Sequence, residues 1–140
     1  MRLLITTPAG VVVDQGDIAA IRAEDQSGNF GILDGHADFV TALTSSIVSW
    51  RHRDGQAGYC AARRGVLTVT AGRTVALATR EAILGADVEK LAETVLAWFH
   101  TAAESERAAH ADAMRLQVMA IRQIVKYLRP DLPASTAGGR

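Results

Sequence analysis

Over the first 84 positions, apolar residues come in short runs separated by turn-forming residues. Leu3-Leu4-Ile5-Thr6-Thr7 ends at Pro8-Ala9-Gly10, and Val11-Val12-Val13 ends at Asp14-Gln15-Gly16. Ile18 to Ala23 ends at Glu24-Asp25-Gln26-Ser27-Gly28. Further runs are Phe30 to Leu33, one starting at Phe39, Ile47 to Trp50, Tyr59 to Ala62, Val66 to Thr70 and Thr74 to Thr79. Asp34-Gly35, Asp54-Gly55 and Ala71-Gly72-Arg73 supply turns between them, and Asp-Gly is a strong hairpin signal. Strands recurring every ~8–12 residues predict an all-β sandwich or barrel. Leu67 and Val69 alternate with Val66, Thr68 and Thr70, the period of a half-buried strand.

From Ala86 the period changes. No glycine or proline occurs between Ala86 and Arg129. Asp87 stands where a helix N-cap belongs. Val88, Leu91, Val95 and Trp98 form one seam, and Met114, Val118, Ile121, Val125 and Leu128 form a second. Steps of three and four are those of helices that pack along one another. Thr101 to Asp112, between the seams, is rich in alanine and charge and has no large apolar residue. The pattern predicts a sandwich over 1–84, an α-helical hairpin over 85–130 that turns between Ala103 and His110, and a disordered tail over 131–140. One continuous helix is the alternative, because no helix breaker marks the turn. Pro130 ends the last helix.

Composition narrows the function classes. Of 140 residues, 49% are apolar and 21% charged, which is globular rather than disordered. The formal net charge of zero disfavours a broad basic face for nucleic acid. The single cysteine, Cys60, fits a reducing compartment. Charges interrupt every apolar run before the ~18 residues that a membrane span needs. The apolar start, Met1 to Ile5, is too short for a signal peptide.

The most informative stretch is Gly28-Asn29-Phe30-Gly31-Ile32-Leu33-Asp34-Gly35-His36-Ala37, followed by Thr41-Ala42-Leu43. It resembles the signature of the epsilon subunit of F-type ATP synthases, in which Gly-acidic-Leu-Gly-Ile precedes Gly-His-Ala. A second, weaker match is Gly65-Val66-Leu67-Thr68-Val69, then Val75 to Ala78, then Ala82 to Asp87, with Arg64 in place of the family's first glycine. Together the matches cover most of residues 1 to 90. The C-terminal part matches only in pattern, and its ending resembles the divergent alternate F-type ATPases of some bacteria.

The resemblance implies a β-sandwich followed by a helical hairpin, in a non-catalytic rotor subunit linking gamma to the c-ring. It implies a peripheral position on the cytoplasmic side of a bacterial inner membrane and a part in proton- or sodium-coupled ATP synthesis. By resemblance, Gln26, Gly28, Asn29, Phe30 and His36 meet the c-ring or gamma. Asn29 stands where many relatives have an acid, which removes a salt bridge but not the contact. The basic stripe Arg115, Arg122, Lys126 and Arg129 would engage acidic segments of alpha and beta and regulate hydrolysis.

Other chemistry has less support. Asp34, His36 and Asp38 are spaced by two, as metal ligands on a strand could be, but Gly35 and Ala37 make the segment a turn. There is no Gly-x-Ser-x-Gly elbow and no Walker loop. The family's ATP-binding pattern is an apolar residue, then Asp, two variable residues, Arg and Ala. Here Asp87 is kept, but Lys90 replaces the arginine and lacks its fork of donors. No cofactor is therefore expected, and ATP at Asp87 and Lys90 is disfavoured. The competing class is a stand-alone β-sandwich enzyme or ligand-binding protein that shares only the fold.

Overall fold

The computed structural model describes residues 1–128. The chain divides into two compact units, Met1–His100 and Thr101–Arg140. Ten strands build the first: β1 (Arg2–Thr7), β2 (Gly10–Gln15), β3 (Ile18–Asp25), β4 (Gly28–Leu33), β5 (Phe39–Leu43), β6 (Ser46–His52), β7 (Ala57–Ala62), β8 (Gly65–Thr70), β9 (Thr74–Thr79) and β10 (Ala82–Leu84). One half of the sheet runs β10-β7-β6-β3, with β4 beside β3, and the other runs β5-β8-β9-β1-β2. A single register pair, Asp25 with Leu43, joins β3 to β5. All pairings are antiparallel except that of β1 with β9.

Alternation decides which side chains go inside. Leu3, Ile5, Ile18, Ile21, Ile32, Val48, Cys60, Leu67, Val75 and Leu77 are fully buried, and both halves contribute to one cluster. Val66 and Thr70, their out-of-phase neighbours, stay exposed. The tenth strand has no run of its own in the sequence pattern. It exists because Ala82, Ile83 and Leu84 find Ala62, Ala61 and Cys60 across the sheet.

Three glycines, Gly58, Gly65 and Gly72, are required by close approach. A methyl group on Gly58 would lie 2.3 Å from the Trp50 ring, which crosses it, and the buried Trp50 Nε1 has no hydrogen-bond partner among the described residues. Gly72, at φ +63°, presses on the backbone of Gly35, itself at φ +80°, and its carbonyl accepts the Gly35 N–H at 3.0 Å.

The helical region is a single α1 (Val88–Leu128). This corrects the expected hairpin: no turn interrupts Ala103 to His110. The physical reason is the one that made a continuous helix the alternative. Alanine, glutamate and arginine are strong helix formers, and nothing in Thr101 to Asp112 breaks the backbone hydrogen bonding. Asp87 caps the helix as expected, its Oδ1 accepting the N–H of Glu89 at 3.0 Å and of Lys90 at 3.4 Å.

Within the first unit, Leu91, Val95 and Trp98 pack on Ala61, Ile47 and Tyr59 of the outer sheet face. In the second unit, Met114, Val118, Ile121 and Val125 all remain exposed, as do Leu116, Met119 and Ile124. Pro130, Arg129 and the expected tail over 131–140 lie outside the described residues.

Candidate functional site

The candidate interface residues do not form one patch. The β3–β4 turn carries Gln26 and Gly28 at one end of the sandwich, whereas the β4–β5 turn carries His36 at the other. Strand β4 separates them by roughly 17 Å, at about 3.3 Å per residue.

At the first end, the Asp25 carboxylate organises the turn. It accepts from the Ser27 N–H at 2.8 Å, from the Ser27 hydroxyl, and from the Thr41 hydroxyl at 2.9 Å. These hydroxyl donors hold its pKa below the ordinary carboxylate value. Gly28 takes φ +116°, which a side chain would strain. Gln26 and Asn29 project into solvent. Beside the turn lies an open groove of about 950 Å³, lined by Asp25, Ser27, Thr41, Thr44, Arg64 and Arg80 among others.

At the second end, His36 Nδ1 lies 2.7 Å from the Ala37 carbonyl. Asp34 pairs with Arg53 at 2.7 Å and lies 3.4 Å from the Met1 amino group. The Met1 amino group is the leading cause of its lowered pKa, and Arg53 adds to it. Asp38 accepts the Ala71 N–H at 2.8 Å. Asp34, His36 and Asp38 are thus each engaged with a different partner rather than converging. Among the described residues no group of His, Cys, Asp and Glu could hold a metal ion.

Phe39 joins the two ends, although no local pattern in the sequence marks it. Its ring stands edge-on to Phe30, with centroids 5.7 Å apart, and edge-on to His36, also at 5.7 Å. Aromatic residues nine apart carry no helical or strand periodicity, so only the β4–β5 reversal reveals them as a stack.

A second surface was also missed. On the outer face of the β5-β8-β9-β1-β2 half, the register sets Ala42, Val66, Ala78, Thr6 and Val11 in one row. Val40, Thr68, Ala76, Leu4 and Asp14 form the next. Asp14 is the one charge in these two rows, and Arg2 holds it through two bonds of 2.8 and 2.9 Å. Val11, Val40 and Val66 are exposed there. Exposed apolar side chains grouped on one sheet face are the kind of surface on which partners dock. Within the same unit, the start of α1 packs on the opposite outer face.

The family described as "ATP synthase, Delta/Epsilon chain, beta-sandwich domain" matches residues 1–85. The chain belongs to the ATP synthase delta/epsilon family. It is 41% identical to ATP synthase epsilon chain 2 of Paraburkholderia xenovorans, over 93% of this chain and 94% of that one. It is 38% identical to ATP synthase epsilon chain 2 of Cereibacter sphaeroides, over 91% and 88%. A chain in the Euglena gracilis mitochondrial ATP synthase is similar in structure, with a TM-score of 0.57 and 28% identity. That match covers 66% of this chain and 59% of the Euglena one. A chain in the central stalk and c-ring of the Tetrahymena thermophila enzyme, at 15% identity and a TM-score of 0.52, shares the fold. Within the family, this is a non-catalytic subunit.

On α1, Arg115 lies 3.9 Å from Asp112, one turn earlier, while Arg122 and Lys126 are exposed. Arg129, the fourth member of the expected stripe, lies outside the described residues. Cys60 is buried in the sandwich, and burial pushes its thiol up to about 11, so it is an unreactive packing residue. Among the described residues no helix is long and apolar enough to cross a membrane.

Proposed function

We propose that this chain is the central-stalk rotor subunit of an F-type ATP synthase, linking gamma to the c-ring during proton- or sodium-coupled ATP synthesis. Family membership sets the class, and the exposed apolar face of the second sheet half, with Val11, Val40 and Val66, is the observation that carries the reading to this molecule. A sandwich that worked alone would gain nothing from an exposed, nearly charge-free sheet face, while a subunit clamped between two partners needs two separate surfaces. In this reading gamma covers the face of Leu4, Val40, Val66 and Ala78, with His36 at its margin. The β3–β4 end, with Gln26, Gly28, Asn29 and Phe30, meets the polar loops of the c-ring. A close-packed core suits torque transmission because it deforms little.

The C-terminal helix is regulatory in this proposal. Extended, it presents Arg115, Arg122, Lys126 and Arg129 to acidic segments of alpha and beta and restrains hydrolysis. Folded back, it leaves rotation free. Moving such a switch from 1:99 to 99:1 takes about 5.5 kcal/mol of differential binding. No nucleotide is needed to hold the helix start, since Asp87 is already engaged as a cap. Millimolar ATP is expected to give neither a heat signal nor protection.

The subunit is expected on the cytoplasmic side of the bacterial inner membrane, held by its partners. Affinity purification of the tagged full chain from gently solubilised membranes tests the reading. Co-recovery of alpha, beta, gamma and c supports it. Recovery of the chain alone, with the complex intact in the same extract, overturns it in favour of a stand-alone ligand-binding protein or enzyme. Deletion of residues 86–140 is expected to raise hydrolysis by the assembled complex, and unchanged hydrolysis removes the regulatory role.

A further inference from the structure

The outer face of the other sheet half carries a feature that neither partner surface uses. Arg22 on β3 and Arg51 on β6 are both exposed. The register sets Arg22 opposite Ser49 and Arg51 opposite Ala20, so the two arginines are diagonal neighbours on one face. Diagonal neighbours lie about 7–8 Å apart, with their Cβ atoms somewhat closer, a span that two guanidinium groups can close around one small anion. Ser49 in turn stands opposite Tyr59 on β7. Arg22, Ser49, Arg51 and Tyr59 line one hollow of about 310 Å³.

Three observations make this more than two charges on a surface. Among the described residues no acid pairs with Arg22 or Arg51, as none does with Arg64, Arg73, Arg80, Arg107 or Arg122, but these two are neighbours that share one hollow. Glu24, the next outward residue on β3, makes no ion pair with Arg22. The floor is small, Ala20 and Ala57, which leaves the hollow open between the two arginines. The Tyr59 ring is anchored, because it packs against the cluster of Ala61, Leu91 and Trp98 under the start of α1. Two like charges held near one another repel unless an anion lies between them.

We propose that this hollow binds a single phosphate group, gripped by the Arg22 and Arg51 guanidinium forks with the Ser49 and Tyr59 hydroxyls as further donors. Arginine offers paired N–H groups that match phosphate geometry. The phosphate comes either free from solution or on an anionic lipid headgroup. The inference does not depend on the stalk reading, since it uses neither the gamma-facing nor the ring-facing surface.

The test is an amide NMR titration of the full chain with sodium phosphate against sodium chloride at matched ionic strength. Expected are saturable shifts at Arg22, Ser49, Arg51 and Tyr59, with affinity about tenfold weaker in R22Q/R51Q. Both side chains are exposed, so an unchanged spectrum elsewhere certifies the fold. R22K/R51K, which keeps the charge but not the fork, is expected to fall between the two. A parallel arm sediments the chain with phosphatidylglycerol or phosphatidylcholine vesicles. Phosphate saturation without vesicle capture assigns free phosphate, and arginine-dependent capture by phosphatidylglycerol assigns the headgroup. The proposal is overturned if neither arm shows binding, if R22Q/R51Q binds as the parent does, or if shifts beside Arg64 and Arg80 match those at the hollow.

Discussion

The sandwich and the distal half of α1 use apolar residues in opposite ways. In the sandwich, Ile5, Ile21, Leu67 and Leu77 are at or near zero exposure, and all belong to one cluster to which both sheet halves contribute. In the distal helix, Met114, Val118, Ile121 and Val125 repeat as regularly, yet each keeps about half its surface in water. Regular apolar spacing therefore has two meanings in one chain: a core already made, and a seam that waits for a partner. The first 13 residues of α1 mark the border, since Leu91 and Trp98 are buried while Leu96 and Phe99 are not.

Four experiments test that contrast. The largest effect is expected from Leu67→Ala, which removes a fully buried side chain and should cost roughly 2–5 kcal/mol in urea unfolding. Ile121→Ala in the isolated chain should stay within about 0.5 kcal/mol. Equal losses would mean that the distal seam is packed after all. Next comes Gly58→Ala: its methyl group collides with the Trp50 ring, and overpacking of this kind costs about 1–3 kcal/mol. Tryptophan fluorescence should report the displaced indole, and an unchanged spectrum and midpoint would show that the ring moves freely.

Smaller effects probe the border and the turn. Asp87→Ala removes the cap of α1 and should cost about 1 kcal/mol, seen as faster hydrogen exchange at the Glu89 and Lys90 amides. The core strands should be unaffected. Finally, Asp25 has a folded pKa below its unfolded value of about 3.9. Its stabilising effect is full above that unfolded value and is lost as pH falls through the lowered folded one. Thr41→Val removes one hydroxyl donor, so carboxyl NMR should show the Asp25 titration moving up toward the ordinary value. No movement would mean that Ser27 alone sets it.

The parts of the fold that local pattern decides were legible. Nine strands followed from apolar runs and turn residues, because burial on one face imposes period two whatever the partner strand is. The Asp87 cap followed from a side chain bonding to its own backbone three residues on. The hairpin did not follow, because helix propensity in Thr101 to Asp112 is local, whereas a reversal there would need the two seams to meet. Of the candidate site, Gln26 was legible as part of a turn, since glycine and polar residues announce one, while Gly28 and Asn29 begin β4.

Local pattern therefore specifies the class of each segment and, through the signature, the family. Strand pairing alone sets His36 at the opposite end from Gln26, stacks Phe39 between Phe30 and His36, and brings Arg22 and Arg51 to one hollow. It also decided that Ala42, Val66, Ala78, Thr6 and Val11 form one row. The reason is register: residues far apart in the chain become neighbours only through hydrogen-bonded pairings, and no local period encodes which strands pair.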